Sequence, residues 1–560
     1  MATPALPMVA VDPAMPRGSD EYEKKRAANQ QRLADSIPVE LRLPQHVVDS
    51  APKNVTQIPR QCGLLTAREL EITENYDAVA LAAALANKTY TAVEVAAAFC
   101  KRAVIAHQLT CCLTEFFMDE ALARARQLDE HLAATGRTVG PLHGVPTSIK
   151  AHMPLKGHRM DLGTLASEAV VDFDSQAIGI VRDAGAVFYC KTNQPQLIMH
   201  IECGSFHGRT LNPRNTALSS GGSSGGEAAL LAMRGSVFGI GSDIGGSIRG
   251  PAAFCGVYGF KPTASLLPRR DGLVGGSAAE LTVPASWGPM SQSLRDMDLF
   301  MAVFSAAQPW RADPRLSNRP WTGLATPKST ESPLKVGFMM TDGVIQPQPP
   351  VVKAMEWARA QLQGAADIDV KPFEPYRTQE AAKNAHTAYF PYGLDAIRRG
   401  LEESGEPFLP LSEWSVRDAE AAPTPTSQGL FELSKKKEQF WYDWAAHWAK
   451  QDVDIVICPA FYGPAASHDT AFYWNYTIIF NYLDMPGVVL PTPVVAGTKS
   501  TEQYAEDAPL SKECEHARRL WDEGDFEGAP IGIQIVAPRR HDNELFGALE
   551  QLKKYLDVKQ

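Results

Sequence analysis

Residues 219–250 read SSGGSSGGEAALLAMRGSVFGIGSDIGGSIRG, two clusters of glycine and serine separated by a short apolar stretch. By composition the first cluster is typical of a flexible linker. However, the "EAALLAMRG" that follows it predicts a short helix and not the start of another domain. Glycine permits positive φ angles and close approach of the backbone, and successive backbone N–H groups in such turns bind anions. The two clusters therefore indicate a backbone shaped around serine side chains.

Two known loop types fit the first cluster only in part. Residues 221–225 have the G-x-S-x-G pattern of a nucleophile elbow, but the preceding "RTLNPRNTAL" contains Pro213 and lacks the strand that an elbow requires. A phosphate-binding loop would need a terminal Lys-Ser/Thr or a G-x-G-x-x-G spacing, and neither cluster has one. The third interpretation takes both clusters together with the lysine of "GVPTSIKAH", Lys150, which ends an apolar strand-like run.

Helix and strand patterns alternate around these motifs. "TAVEVAAAFCKRAVIAHQ" opens with Thr91 and Glu94 in capping-box spacing, and "DEALARARQLDEHLAATG" is a helix that Gly136 should stop. "SQAIGIVRDAG" followed by "AVFYCK" predicts a helix, a stop at Gly185 and a buried strand. "VKAMEWARAQLQGAADIDVKPF" and "DWAAHWAKQDVDIVICPA" repeat that order. Repeated helix-to-strand units predict an α/β fold with a sheet flanked by helices.

The length of 560 residues and the 44% hydrophobic content allow a large core. We expect residues 1–75, which are rich in proline and charge, to form an N-terminal arm with helices that wrap the core. Residues 76–560 are expected to form a single α/β domain. A long loop is predicted from Ser305 to Ser332, between the two halves of this domain.

Composition argues against several classes of function. The net charge is −10 and Lys and Arg are scattered, so no nucleic-acid partner is expected. No run of about 18 uncharged apolar residues predicts a membrane span, and the N-terminal sequence lacks the apolar region of a signal peptide. The nine cysteines include the pair Cys111-Cys112 but no C-x-x-C, which argues against a disulfide framework and a zinc site. We expect a cytoplasmic protein with reduced thiols.

The lysine motif, "GGSSGGE" and "GSDIGGSIRGPAAFCGVYGFKPT" together resemble the amidase signature family. The resemblance extends to "PLHGVP", "AGAVFYCKTNQPQ", "NYLDMPGVVLPTPV" and "GAPIGIQIVAPRRHDNELFGALEQL", and is greatest to the fungal acetamidase-type branch, which is related to fatty acid amide hydrolases. It implies a mixed, twisted central β-sheet covered by helices on both faces. The signature core would span about residues 140–265.

The resemblance also implies a Ser-cisSer-Lys triad. It makes Ser247 the nucleophile, Ser223 the bridging serine after a cis peptide bond, and Lys150 the base. A serine hydroxyl needs a positioned base, and a lysine can act as one only when its surroundings lower its pKa. Ser223 can donate and accept at once, so it can relay a proton between Ser247 and Lys150.

Further site residues follow from the same resemblance. An oxyanion hole is expected from the backbone N–H groups of Ile244, Gly245, Gly246 and Ser247. Substrate-binding positions are predicted at Met199, Cys203, Ser220, Gly221, Gly222 and Tyr476. Core packing is an equal alternative for Met199, Cys203 and the aromatic run "AFYWNYTIIFNYLD". Asp243 and Arg249 are interpreted as a structural ion pair or a hydrogen-bond network that braces the loop. Neither a metal nor an organic cofactor is expected.

The chain departs from its relatives after the lysine. Relatives usually have Asp there, whereas this chain has Ala151-His152 and then "MDLG" at residues 160–163. A missing carboxylate beside Lys150 should favour its neutral form. Our hypothesis is that residues 151–163 give a substrate preference unlike that for simple acetamide.

These features predict a serine amidohydrolase that converts a carboxylic amide into an acid and ammonia or an amine through an acyl-enzyme. The same machinery could cleave esters. One alternative is a glutamine-hydrolysing amidotransferase subunit of the same family; another is a catalytically inactive binding protein that keeps the fold. The expected partner is a small-molecule amide, and the expected assembly is a homodimer.

Overall fold

The computed structural model describes residues 5–272, 283–327, 332–390, 393–420, 426–505 and 508–556. Within them, eleven strands form one mixed sheet and four short strands form two small two-stranded sheets. In chain order the strands are β1 (Leu113–Phe116), β2 (Pro146–Lys150), β3 (Arg159–Met160), β4 (Ala169–Val170), β5 (Val187–Thr192), β6 (Gly204–Ser205), β7 (Gly208–Arg209), β8 (Phe238–Asp243), β9 (Tyr258–Lys261), β10 (Ser286–Ser291), β11 (Leu334–Phe338), β12 (Ile368–Pro372), β13 (Ile455–Pro459), β14 (Gly487–Val495) and β15 (Pro530–Val536). The large sheet has the order β1-β5-β2-β8-β10-β9-β14-β15-β13-β11-β12.

Helices surround this sheet. In chain order the described α-helices are α1 (Asp20–Ser36), α2 (Gln45–Asp49), α3 (Ile58–Gln61), α4 (Ala67–Glu74), α5 (Ala78–Ala86), α6 (Ala92–Thr110), α7 (Met118–Thr135), α8 (Gln176–Asp183), α9 (Gly225–Ala232), α10 (Arg249–Cys255), α11 (Leu294–Ala307), α12 (Pro349–Leu362), α13 (Thr378–Tyr389), α14 (Asp395–Ser404), α15 (Pro410–Glu420), α16 (Ser427–Gln451), α17 (Asn475–Tyr482), α18 (Lys512–Glu523) and α19 (Asp542–Leu552).

Two hydrophobic cores lie on opposite faces of the sheet. On β14, Val488 belongs to one core and its neighbour Val489 to the other; on β15, Ile535 and Val536 divide in the same way. Successive side chains of a strand point to opposite faces, so both faces are buried. The expected mixed α/β sheet with helices on both faces is confirmed.

Local sequence signals place several of these elements correctly. Thr91 caps α6 through a full capping box with Glu94, which satisfies N–H groups that a helix start leaves unpaired. Gly136 ends α7 in the left-handed conformation, and Gly185, with φ +99°, separates α8 from the buried strand β5.

The first 75 residues pack against the main body through helices α1 to α4. Leu33 on α1 and Ile37 and Leu41 just after it are buried in the same core as the sheet residues Ile149 and Phe238. This part of the chain therefore contributes apolar surface to the interior.

The predicted loop at Ser305–Ser332 begins slightly later than expected. Helix α11 continues to Ala307, and the chain then forms short 3₁₀ turns at Pro309–Arg311 and Gly323–Ala325. Residues 328–331 of the predicted loop lie outside the described residues.

Two neighbouring parallel strands bring the motifs together. β2 pairs with β8, with Ile149 opposite Ile240. Because the strands are parallel, their carboxyl ends, which carry Lys150 and Asp243, reach the same edge of the sheet. The second glycine-serine cluster begins in the last residues of β8 and continues beyond it, and the first ends in the first turn of α9.

Candidate active site

Lys150 is a fully buried lysine whose amine, among the described residues, forms hydrogen bonds with two serine hydroxyls. Its Nζ lies 2.6 Å from Ser223 Oγ and 3.0 Å from Ser242 Oγ. Among the described residues, Asp243 and Glu227 act on Lys150 through electrostatic attraction alone, without a hydrogen bond to it. Burial lowers the pKa of Lys150 to about 7, against weaker attractions from Cys203, Asp243 and Glu227 that raise it. A substantial fraction of Lys150 is therefore neutral near pH 7.

Glu227, in the first turn of α9, is a second buried titratable group near Lys150. Its carboxyl group accepts hydrogen bonds from Ser148 Oγ at 2.5 Å and Thr192 Oγ1 at 2.9 Å. Burial raises the pKa of Glu227 to about 7, and the hydroxyl donors and Lys150 lower it only in part. The site thus holds an amine and a carboxyl group that both titrate near neutrality.

The first glycine-serine cluster folds tightly around Ser223. The Gly222–Ser223 peptide bond is cis, and Ser223 is 1% exposed. Gly221 has φ +79°, and a Cβ there would lie 2.6 Å from Pro251 Cα. At Gly222 a Cβ would lie 2.6 Å from two backbone carbonyl oxygens, so neither position has room for a side chain.

The second cluster is attached to the first and reaches further towards the surface. Ser224 N donates to Ser247 O at 3.0 Å, which joins the two clusters by a backbone hydrogen bond. Ser247 is 9% exposed, compared with 1% for Ser223. Solvent exposure therefore increases in the order Lys150, Ser223, Ser247.

Asp243 and Arg249 form the ion pair that the sequence suggested. Arg249 Nε and Nη2 each donate to the Asp243 carboxylate at 3.0 Å, and both side chains are fully buried. Burial alone would raise the pKa of Asp243, but the Arg249 guanidinium, together with Lys261 and Asn481, holds this pKa well below its usual range. Asp243 also accepts from the N–H groups of Gly246 and Ile248, at 2.8 and 3.1 Å. The pair therefore fixes the shape of the second cluster.

The four expected oxyanion donors are not equivalent. The Gly246 N–H already donates to Asp243 Oδ1. Those of Ile244, Gly245 and Ser247 have no acceptor among the described residues. Three open N–H groups thus remain in the loop that precedes α10.

The predicted substrate-binding side chains mostly make internal contacts. Cys203 Sγ lies 3.3 Å from Thr210 Oγ1, and Ser220 Oγ lies 3.3 Å from Thr210 O. Tyr476 is fully buried, and its hydroxyl donates to Ile345 O at 2.5 Å. Met199 is partly exposed and packs against the second core. These contacts favour core packing over substrate binding for Cys203 and Tyr476.

A cavity of about 890 Å³ has in its wall side chains that pack near this loop, although no described residue of either glycine-serine cluster lines it. Its wall includes His386 of α13, Trp414 of α15, and Phe472 and Tyr473 from the aromatic run. Trp474, which packs on both His386 and Trp414, has its Nε1 3.2 Å from where a Cβ on Gly245 would be. The aromatic run in the sequence predicts part of this wall. The residues that α13 and α15 contribute to the wall could not be predicted, because neither helix carries a motif.

The segment after Lys150 lies in a buried polar network. His152 Nδ1 is 2.8 Å from Gln194 Oε1, and Gln194 Nε2 donates to Asp161 O at 2.7 Å. Asp161 Oδ2 is 3.0 Å from His207 Nε2. Because the Gln194 amide nitrogen points to Asp161, its oxygen faces His152, which assigns the His152 proton to Nδ1. His152 is therefore fixed near Lys150 and does not line the cavity.

Two kinds of feature are absent from the described residues. No group of three or more His, Cys, Asp or Glu side chains comes together as a metal site would need. None of the described helices combines the length and the apolar character needed to cross a membrane.

Comparison with known proteins identifies the family. The family model described as Amidase matches residues 94–546. A Schizosaccharomyces pombe protein that carries the general name amidase is 41% identical over 505 residues, or 90% of this chain and 93% of that protein. An acetamidase of Aspergillus oryzae is 34% identical over 96% of this chain and 99% of its own length. A solved structure of fatty acid amide hydrolase superposes with a TM-score of 0.89 at 31% identity and 98% coverage of both chains. The chain belongs to the amidase signature family and is an amide-hydrolysing enzyme.

Proposed function

We propose that this enzyme attacks a carboxylic amide with Ser247 and passes protons through Ser223 to Lys150. The observation that carries the proposal is the 2.6 Å contact between Lys150 Nζ and Ser223 Oγ, in a site where burial lowers the pKa of the lysine to about 7. An amine that is neutral near pH 7 can accept a proton. The hydrogen bond between Lys150 and Ser223 can therefore have either residue as the donor.

The proposed reaction has two halves. Ser247 Oγ bonds to the amide carbon while its proton moves to Ser223, whose own proton moves to Lys150. The C–N bond then breaks, and the proton returns through Ser223 to the leaving nitrogen, which departs as ammonia or an amine. Water next attacks the Ser247 ester by the same proton path, which releases the acid and restores the serine.

The developing negative charge on the substrate oxygen would be bound by backbone N–H groups of the second cluster. Ile244, Gly245 and Ser247 each supply an N–H without an internal acceptor among the described residues. Preorganised donors of this kind typically stabilise the transition state by a few kcal/mol each. The Asp243–Arg249 pair supports this loop and takes no part in the chemistry.

The cavity whose wall packs against Trp474 is the proposed site for the larger substituent of the amide. Its wall includes the aromatic side chains of Trp414, Phe472 and Tyr473, which favour a substituent with an aromatic or apolar part. It also includes charged side chains, among them Arg417 and Lys512, which can contact a polar end of the same substituent. Its volume of about 890 Å³ greatly exceeds what a methyl group needs. We therefore propose a preference for amides larger than acetamide.

Serine-directed labelling tests the proposal. The purified protein is treated with a fluorophosphonate probe, and the modified residue is identified by peptide mass spectrometry, with Ser247→Ala as the matched control. We expect one adduct, on Ser247, and none in the variant. An adduct on Ser223 would support the nucleophile-elbow interpretation. The absence of any adduct, together with no hydrolysis of short, aromatic and long-chain anilides, would contradict the proposal.

A further inference from the structure

A hydroxyl outside the glycine-serine clusters holds the backbone of the second cluster. Tyr389, the last residue of α13, donates its hydroxyl to Ile244 O at 2.8 Å across 145 positions of sequence. The Tyr389 side chain is buried, and its ring contacts His386 edge-on at 5.8 Å between ring centroids. Its hydroxyl is therefore fixed in place by packing from the cavity side.

This hydrogen bond determines the direction of one N–H group. The carbonyl of Ile244 and the N–H of Gly245 belong to the same peptide unit, which is not among the cis bonds of the chain. In a trans peptide these two groups point in opposite directions. Holding the Ile244 carbonyl against Tyr389 therefore aims the Gly245 N–H away from α13, and no described residue accepts it.

In the next peptide unit, between Gly245 and Gly246, both the carbonyl and the N–H group already form hydrogen bonds. Its carbonyl, on Gly245, accepts from Thr477 Oγ1 at 2.7 Å, and its N–H, on Gly246, donates to Asp243. The peptide unit between Ile244 and Gly245, which Tyr389 fixes, thus still has an N–H group available as a donor. A Cβ on Gly245 would lie 2.6 Å from the Tyr389 hydroxyl, so the contact leaves no room for a side chain there.

We propose that Tyr389 is a positioning residue that orients the Gly245 N–H as an oxyanion donor. The inference rests on the proposed function, because it needs an oxyanion to form at Ser247. Burial raises the pKa of Tyr389 well above its usual value, so the hydroxyl remains a donor throughout the pH range of an assay.

Tyr389→Phe tests the inference, because it removes the hydroxyl and keeps the ring. Complete loss of an oxyanion donor costs about 100- to 1000-fold in kcat. Here the donor remains but is less well oriented, so we expect kcat to fall about 10-fold or more while KM changes less than about twofold. The affinity for a trifluoromethyl ketone analogue of the assayed amide, which forms a tetrahedral adduct on the serine, should fall by the same factor as kcat/KM.

Tyr189→Phe is the matched control. Tyr189 is also buried and donates its hydroxyl to a backbone carbonyl, that of Gly235, at 2.5 Å, but it lies away from the loop. We expect a similar loss of thermal stability in the two variants, with kcat and ketone affinity unchanged only in Tyr189→Phe.

Two results would overturn the inference. Unchanged kcat in Tyr389→Phe would do so, as would a rise in KM alone, since that would assign Tyr389 to the cavity wall. Fluorophosphonate labelling of the wild type separates this failure from that of the proposed function. If Ser247 is labelled while Tyr389→Phe behaves as wild type, only the inference fails; if Ser247 is not labelled, the proposed function fails as well.

Discussion

Lys150 and Arg249 are both fully buried basic residues near the carboxyl ends of β2 and β8, yet their surroundings differ completely. Arg249 contacts a carboxylate with two of its nitrogens and also donates to Gln534 Oε1, Asn481 Oδ1 and Thr477 O. Lys150 contacts two serine hydroxyls. A buried charge is retained when it is paired and hydrogen-bonded, and otherwise the group tends to become neutral. The comparison therefore assigns a structural role to the arginine and allows the lysine to act as a base.

Burial alone does not make a lysine a base here. Lys191 is also fully buried, and burial lowers its pKa to about 8. Its Nζ donates to the backbone carbonyls of Met153 and Arg159, which cannot relay a proton. What distinguishes Lys150 is a neighbour that can both donate and accept, Ser223.

The largest expected effect is on catalysis, from Lys150→Met. Removing a general base typically costs about 100- to 10,000-fold in rate, so kcat for an amide should fall within that range while the circular dichroism spectrum is retained. Lys191→Met is the matched control, a second buried lysine on the adjacent strand, and should keep kcat within about threefold. An equal loss of kcat in the two variants would contradict the assignment of Lys150, and not Lys191, as the base.

The next effect is on stability, from Arg249→Met. The variant leaves Asp243 buried without its partner, and breaking a buried pair in this way costs about 3–5 kcal/mol in the free energy of unfolding. Denaturant unfolding measures the loss. Arg359→Met, which removes an exposed pair with Glu356 of 3.4 Å, should cost less than about 1 kcal/mol. A loss that small for Arg249→Met would contradict the structural role.

The smallest expected effect is a shift in the pH profile. Lys150 must be neutral to accept a proton, so kcat/KM should rise with pH and level off above an inflection near 7, the pKa to which burial lowers this lysine. The Glu227 carboxylate raises that pKa by attraction. Glu227→Gln should therefore move the inflection to lower pH, by less than about one unit.

Glu202→Gln is the control for this shift. Glu202 is another buried carboxyl group whose pKa burial raises to about 7, but it accepts from backbone N–H groups of residues 469–471. Its replacement should leave the inflection in place. A profile that falls as pH rises through 7 would contradict the assignment of Lys150 as a base.

Local features of the fold could be predicted from the sequence, and distant contacts could not. The capping box of Thr91 and Glu94 depends on residues three apart, so its pattern is visible in the sequence. The contact of Lys150 with Ser223 joins residues 73 apart, and it was expected only through the family resemblance. The bond from Tyr389 joins a helix without any motif to the second cluster, so no pattern in either segment indicates it.

The same distinction explains the cavity. Aromatic residues next to α17 could be proposed as pocket residues because they cluster in the sequence. His386 and Trp414 join them only through the packing of α13 and α15, which depends on the whole second core. The departure at Ala151-His152 was visible, but its setting in the network with Gln194 was not.

The pairing of β2 with β8 affects how this enzyme can change over evolution. Neighbouring strands are held about 4.8 Å apart by backbone hydrogen bonds, which do not depend on side-chain identity. Lys150 therefore keeps its position relative to the end of β8 while the helices around the cavity acquire substitutions. Under the proposed function, a lineage can exchange one amide for another by altering α13 and α15 and still inherit its chemistry unchanged.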